Sequence, residues 1–198
     1  MTNLWTDVKP GPNPPEIVYA VIETPQGSKN KFEFDKDIMA IYLDRVLFSS
    51  VVFPISYGFI PRTLGDDSDP LDIMVLITEP TFPGCIVAAR PIGVLRMKDE
   101  KGDDDKIIAV AHNDPRLSEA HELDWVPKHQ LIEVEEFFRD YKKLEKGKKT
   151  EVQGWENKKS ALKIIEKDIV SFQENYFGIM NKNYKKKENM KEKKQGKA

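Results

Sequence analysis

Apolar and polar positions change their period once along the chain. Up to residue 111 the apolar residues come in short runs, at residues 17–22, 46–48, 71–77, 86–89, 92–97 and 107–111, with Ile41 and Leu43 between the first two. In Lys31-Phe32-Glu33-Phe34-Asp35 they alternate strictly with charges, the period of a strand with one buried face. Gln26-Gly27-Ser28, Gly65-Asp66-Asp67, Pro83-Gly84 and Lys101-Gly102-Asp103 punctuate the runs as turns. Many short strands at close spacing predict a barrel or a sandwich. Over residues 124–144 the period becomes helical, with apolar residues at 131, 134, 138 and 141 and with Phe137 and Leu144 flanking. Pro127 suits the start of that helix and Gly147 its end. Gln153-Gly154-Trp155 predicts a turn, followed by a second helix over residues 157–176 with the stripe Leu162, Ile165, Ile169, Phe172 and Tyr176. Four prolines in residues 9–15 predict an extended lead-in. With no internal repeat and no linker, the pattern describes one strand-rich α+β domain, residues 1–177, closed by two C-terminal helices.

Charge adds a tail to this picture. The formal net charge is −2, but residues 181–198 carry eight lysines against two glutamates, +6, which leaves −8 for the rest. Residues 178–198 therefore read as a Lys-rich, disordered tail, too poor in apolar side chains to offset the entropy of ordering. An acidic body argues against a nucleic-acid protein, so no obligate nucleic-acid partner is expected. No apolar run nears the ~18 residues that span a bilayer, and the polar segment 1–10 has no secretory h-region. One cysteine, Cys85, excludes an internal disulfide. The expected compartment is the cytoplasm. Three scattered histidines exclude a histidine-rich metal site, so any metal is expected on oxygen.

The densest chemistry is Gly65-Asp66-Asp67-Ser68-Asp69-Pro70-Leu71-Asp72, four carboxylates in seven residues before an apolar strand. Carboxylates this close repel one another unless a cation joins them. It is no EF-hand: a loop starting at Asp67 has Asp72 and Thr78 where glycine and glutamate belong. Pro70 biases Asp69 to an extended conformation, so Asp67 and Asp69 share a direction and Asp72 opens the strand. Such an oxygen set suits magnesium that keeps part of its water shell. A second acidic loop, residues 99–105, separates two apolar strands, and two such loops in one domain invite a two-metal site.

Open metal positions call for a polyanionic substrate. Lys31 and Glu33 share a strand face, Arg45 interrupts an apolar run, and Lys106 opens the strand after the second acidic loop. Tyr141 falls on the first helix's apolar stripe beside Lys142, and Tyr57 lies in Pro54-Ile55-Ser56-Tyr57-Gly58. Each taken alone also fits an ordinary structural residue. Glycine-rich phosphate loops and serine nucleophile elbows are absent from the sequence.

Taken in order, these segments resemble family I soluble inorganic pyrophosphatases, in their compact bacterial, archaeal and plant form. Asp67-Ser68-Asp69-Pro70-Leu71-Asp72 is similar to the family signature Asp-x-Asp-Pro-apolar-Asp. Around it stand Val21-Ile22-Glu23, Lys31-Phe32-Glu33, Leu43-Asp44-Arg45, Tyr57-Gly58-Phe59-Ile60, Arg90-Pro91-Ile92-Gly93-Val94, residues 99–106, Phe137-Phe138, Tyr141-Lys142 and Gly154-Trp155. The resemblance covers about residues 9–177. It implies a five-stranded, OB-like β-barrel with the two helices packed against it, and hydrolysis of pyrophosphate to two phosphates with several Mg2+ ions. Carried over by position, Asp67, Asp72 and Asp104 resemble the ligands of a tight metal site, and Asp99 with Asp104 those of a metal that arrives with substrate. Asp69 resembles the proton acceptor. Lys31, Arg45, Tyr57, Lys106, Tyr141 and Lys142 resemble the phosphate grips, and Glu23 and Glu33 the outer members of the site. Phe53 stands where the family commonly has tyrosine. Glu136 and Asp140 stand where a bacterial hexamer carries interface histidines, so a homo-oligomer is expected but not those contacts.

Overall fold

A computed structural model describes residues 2–100 and 102–195, with side chains described through Tyr176. Among the described residues, nine strands precede or separate two α-helices: β1 (Val18–Thr24), β2 (Asn30–Asp35), β3 (Ala40–Val46), β4 (Ser56–Phe59), β5 (Asp72–Leu76), β6 (Ile86–Asp99), β7 (Gly102–Asp103), β8 (Lys106–Ala111), α1 (Lys128–Asp140), β9 (Thr150–Asn157) and α2 (Lys158–Gln195).

Five strands pair in a closed circuit. β1 pairs β4, β4 pairs β5, β5 pairs β8, β8 pairs β6, and β6 returns to β1. All these pairings are antiparallel except β5 with β8, which is parallel. A closed circuit leaves these five strands no free edge, and its strands carry fully buried apolar side chains, among them Ile22, Ile73, Val94, Ile107 and Val110. At Gly58 a Cβ would lie 1.8 Å from the Val21 carbonyl oxygen, so only glycine lets β4 approach β1 this closely. The ring answers to the five-stranded closure expected above, with α1 packed on it through Val134, Phe137 and Phe138.

β2 and β3 form a separate hairpin beside the ring. A smaller apolar cluster joins it to the rest: Trp5, Val21, Phe34, Phe59 and Phe172. The polar segment 1–10 thus contributes a core residue, Trp5, whose indole N–H donates to the Thr63 carbonyl at 2.9 Å.

Several sequence readings shift. Residues 86–89 and 92–97 belong to one long strand, β6, with a register shift next to Pro91, where proline has no N–H to give the ladder. The first helix is shorter than expected, with Pro127 at its N-cap and Tyr141 at its C-cap. Gln153-Gly154-Trp155 is no turn. It lies inside β9, and Gly154, at φ +115°, marks a bulge against Arg96 and Met97 of β6. β4, flanked by Pro54 and carrying Gly58, had no strand signature of its own. α2 starts where expected and its backbone continues to Gln195. The tail expected over residues 178–198 falls on side chains outside the described residues.

Candidate active site

The parallel pairing of β5 with β8 sets Asp72 directly across from Lys106. The Lys106 ammonium, 1% exposed, lies 2.6 Å from Asp72 Oδ2 and 2.9 Å from Asp104 Oδ1. It also reaches the Tyr57 hydroxyl at 3.2 Å, and that hydroxyl donates to Asp72. Burial works to lower the Lys106 pKa, but Asp104 and Asp72 outweigh it and hold it above the usual lysine value. Burial raises Asp104, assisted by Asp72 and opposed by Lys106. It also pushes the Tyr57 phenol well above its ordinary value, with Asp72 adding to the effect.

The acidic loop is wound tightly before β5. Gly65 N donates to the Asp69 carbonyl at 2.8 Å, Ser68 N to the Gly65 carbonyl at 3.1 Å, and Asp69 N to Asp67 Oδ1 at 3.0 Å. Ser68 stands at φ +69°, and Asp66, Asp67, Asp69 and Asp72 of the loop line one cavity.

The hairpin supplies the opposite wall. Lys31 and Arg45 are cross-strand partners, two cations side by side. Like charges in that position destabilise a sheet, and here they are balanced by carboxylates: Glu33 and Asp44 for Lys31, Asp44 and Glu145 for Arg45. Burial and then Arg45 lower the Lys31 pKa. Glu23 accepts from the Phe34 amide at 2.6 Å, and burial pushes its carboxyl up to about 8. At the end of α1, Tyr141 is buried against Phe137 and Phe138, and Lys142 Nζ lies 3.1 Å from Asp99 Oδ2.

One cavity of about 550 Å³ takes in all of them: Asp67, Asp69, Asp72, Asp99 and Asp104; Lys31, Arg45, Lys106 and Lys142; Tyr57 and Tyr141; Glu23 and Glu33. Twelve carboxylates line it against eight lysine and arginine side chains. A walled site of this sign repels a polyanion unless divalent cations come too.

The same cavity holds residues that sequence reasoning left unassigned. Lys36 lies 2.5 Å from Asp69 Oδ1, Arg96 pairs with Asp105 at 2.6 Å, and Lys148 pairs with Glu100. Asp168 of α2 is 3% exposed, and burial pushes it up to about 7. Its signal was present: it sits three residues after Ile165 and four before Phe172, an acid on an apolar stripe. Lys36 carried none.

The sequence profile of inorganic pyrophosphatases matches residues 20–173. The chain belongs to the inorganic pyrophosphatase family. It is 48% identical to the inorganic pyrophosphatase of Haloferax volcanii over 176 residues, covering 89% of this chain and 99% of that one. The Nostoc enzyme is 51% identical over 158 residues, covering 80% and 93%. The crystal structure of the Thermus thermophilus inorganic pyrophosphatase superposes with a TM-score of 0.85 at 45% identity, covering 87% and 99%.

Within this pyrophosphatase, Phe53 packs its ring 5.6 Å from Tyr57 and 4.7 Å from Phe137 and is 1% exposed. It buttresses the phenol that touches Asp72. Glu136 and Asp140 pair along their own helix and its end, with Arg139 and Lys143. Among the described residues no helix is long and apolar enough to cross a membrane.

Proposed function

We propose that the chain hydrolyses inorganic pyrophosphate to two phosphates with magnesium, and that residues 1–177 are the catalytic unit. The observation that carries this reading is the convergence in one cavity of every residue assigned a role from the sequence.

The donor set fits a hard divalent cation. Asp67, Asp72, Asp99 and Asp104 offer only oxygen, the ligand type magnesium prefers. Asp72 and Asp104 stand close enough to share one ammonium. Asp67, Asp72 and Asp104 would hold the tighter ion, and Asp99 with Asp104 one that accompanies the substrate. When bound, the ions neutralise phosphate charge and acidify water from its bulk pKa of ~15.7 toward neutrality.

The remaining steps belong to the chain. Lys31, Arg45, Lys106 and Lys142, with the Tyr57 and Tyr141 hydroxyls, grip the six peripheral oxygens of pyrophosphate and place one phosphorus in line with a water. Asp69 accepts that water's proton as its oxygen bonds to phosphorus and the bridging P–O bond breaks. The departing phosphate takes the bonding pair, and the cationic side chains stabilise the charge that develops on it. Glu23 and Glu33 are outer members of the site, Glu33 by pairing with Lys31 and Glu23 from a buried position behind Phe34 N.

Phosphate release from pyrophosphate, with and without magnesium, tests the reading, with ATP as the comparison substrate. Fast, magnesium-dependent release that strongly prefers pyrophosphate is expected. A folded chain that releases no phosphate from pyrophosphate sinks the proposal. We further propose a cytoplasmic homo-oligomer, which light scattering on purified protein checks; a monodisperse monomer would refute it.

A further inference from the structure

Lys36 sits on the turn between β2 and β3, outside every role assigned above. The turn is tied down: Asp35 Oδ1 accepts from the amides of Asp37 at 2.6 Å and Ile38 at 2.9 Å, and the Asp35 carbonyl accepts from Met39 N at 2.8 Å. From this base the Lys36 ammonium reaches across to the acidic loop. It donates to Asp69 Oδ1 at 2.5 Å and to the Ser68 carbonyl at 3.1 Å.

The other side of the ammonium meets an aromatic face. Lys36 Nζ lies 4.5 Å from the centre of the Trp5 ring, within cation–π range. Trp5 is itself fixed. Its indole N–H donates to Thr63 at 2.9 Å, Phe172 meets it edge-on at 5.8 Å, and its carbonyl accepts from Arg62 N at 2.8 Å. Residues 60–64 lead directly into the acidic loop, so the ring and the loop share one support.

We infer that Lys36 is a positioning residue for Asp69, seated by the Trp5 ring of the N-terminal segment. The inference rests on the reading of Asp69 as proton acceptor. A carboxylate on a loop tip has two free torsions, and a proton transfer loses much of its rate when the acceptor wanders by an ångström. A charge-assisted hydrogen bond to one oxygen fixes both torsions. The Trp5 face keeps the ammonium from swinging away to other carboxylates of the cavity. The N-terminal segment, through Trp5, thereby acts on the reacting group.

The test is a double-mutant cycle of Lys36→Met with Asp69→Asn, read in kcat and KM for pyrophosphate at saturating magnesium, with magnesium affinity measured by calorimetry. Lys36→Met is expected to lower kcat about tenfold, with KM changed less than about threefold, as for loss of an orienting partner. Lys36→Arg should restore most of it, because the cation and its donors return. In the Asp69→Asn background Lys36→Met should change kcat less than about twofold, since the group it positions is gone. Trp5→Leu should give part of the Lys36→Met loss; if that core change prevents folding, the Lys36 pair decides alone. Equal losses in both backgrounds, a loss confined to KM, or a changed magnesium affinity would overturn the inference and leave Asp69 as acceptor. Wild-type turnover in Asp69→Asn would overturn the acceptor and this inference together.

Discussion

Asp72 and Lys106 are register partners across the one parallel pairing of the ring, and their side chains meet at 2.6 Å. Each opens its strand, so the pair stands at the ring's mouth, where the two acidic loops enter β5 and β8. Lys106 thereby balances buried carboxylates, and in the proposed reading it also grips the substrate.

The balancing of carboxylates predicts a stability effect. Lys106→Met leaves Asp72 and Asp104 without their shared cation, and breaking a buried pair costs about 3 kcal/mol or more. In chelator the variant should melt well below wild type. Magnesium should recover part of the loss, because a divalent cation takes over the same oxygens. Equal melting temperatures of variant and wild type in chelator would show that the pairing contributes nothing.

Asp69→Asn should keep the fold and magnesium affinity while turnover falls by roughly 100-fold or more, the range for losing a general base. The amide preserves shape but takes no proton. Turnover near wild type at neutral pH would remove Asp69 from its role.

Asp168 predicts a pH dependence. Its carboxyl titrates near 7 in the folded chain, against 3.8 for an ordinary aspartate, because burial penalises the charged form. The folded state then binds more protons than the unfolded state between those values, so this group makes stability fall as pH rises from about 3.8 to about 7. The full excursion is on the order of 4 kcal/mol. Asp168→Asn should flatten that slope in metal-free denaturation. An unchanged slope would mean that the carboxyl is charged in the native chain.

Truncation after residue 177 should leave kcat and KM for pyrophosphate within about twofold of the full chain, because no proposed catalytic side chain lies beyond Lys142. The family match ends at residue 173, four residues before the cut. Phe172 and Tyr176, whose tilted rings meet at 5.5 Å, remain. A large loss on truncation would give the Lys-rich segment a catalytic part.

The sequence disclosed what is contiguous. Asp67, Asp69 and Asp72 stand within six residues around a proline, and their chemistry could be read before any fold was known. Lys31 and Arg45 could be named but not paired, since their cross-strand contact depends on the hairpin register. Lys36 and Trp5 stayed hidden because their meeting depends on how the N-terminal segment crosses the hairpin turn, which no local pattern encodes. β9 was misread for a different reason. A glycine such as Gly154, between Gln153 and Trp155, marks a turn or a bulge equally well, and only the β6 partner decides. β4 was lost to its length of four residues and its glycine, a residue explained by the backbone of β1 rather than by anything nearby in sequence.

The closed ring also sets an order on synthesis. A ribosome releases the chain from its N-terminus, so the carboxylates of the first acidic loop emerge well ahead of Lys106 and Lys142. β5 cannot complete its pairing until β8 arrives, because a parallel partner must cross over and return. Until then the nascent chain carries a cluster of mutually repelling acids and an unpaired strand edge. The wait spans about thirty residues, a few seconds at ~5–20 residues per second.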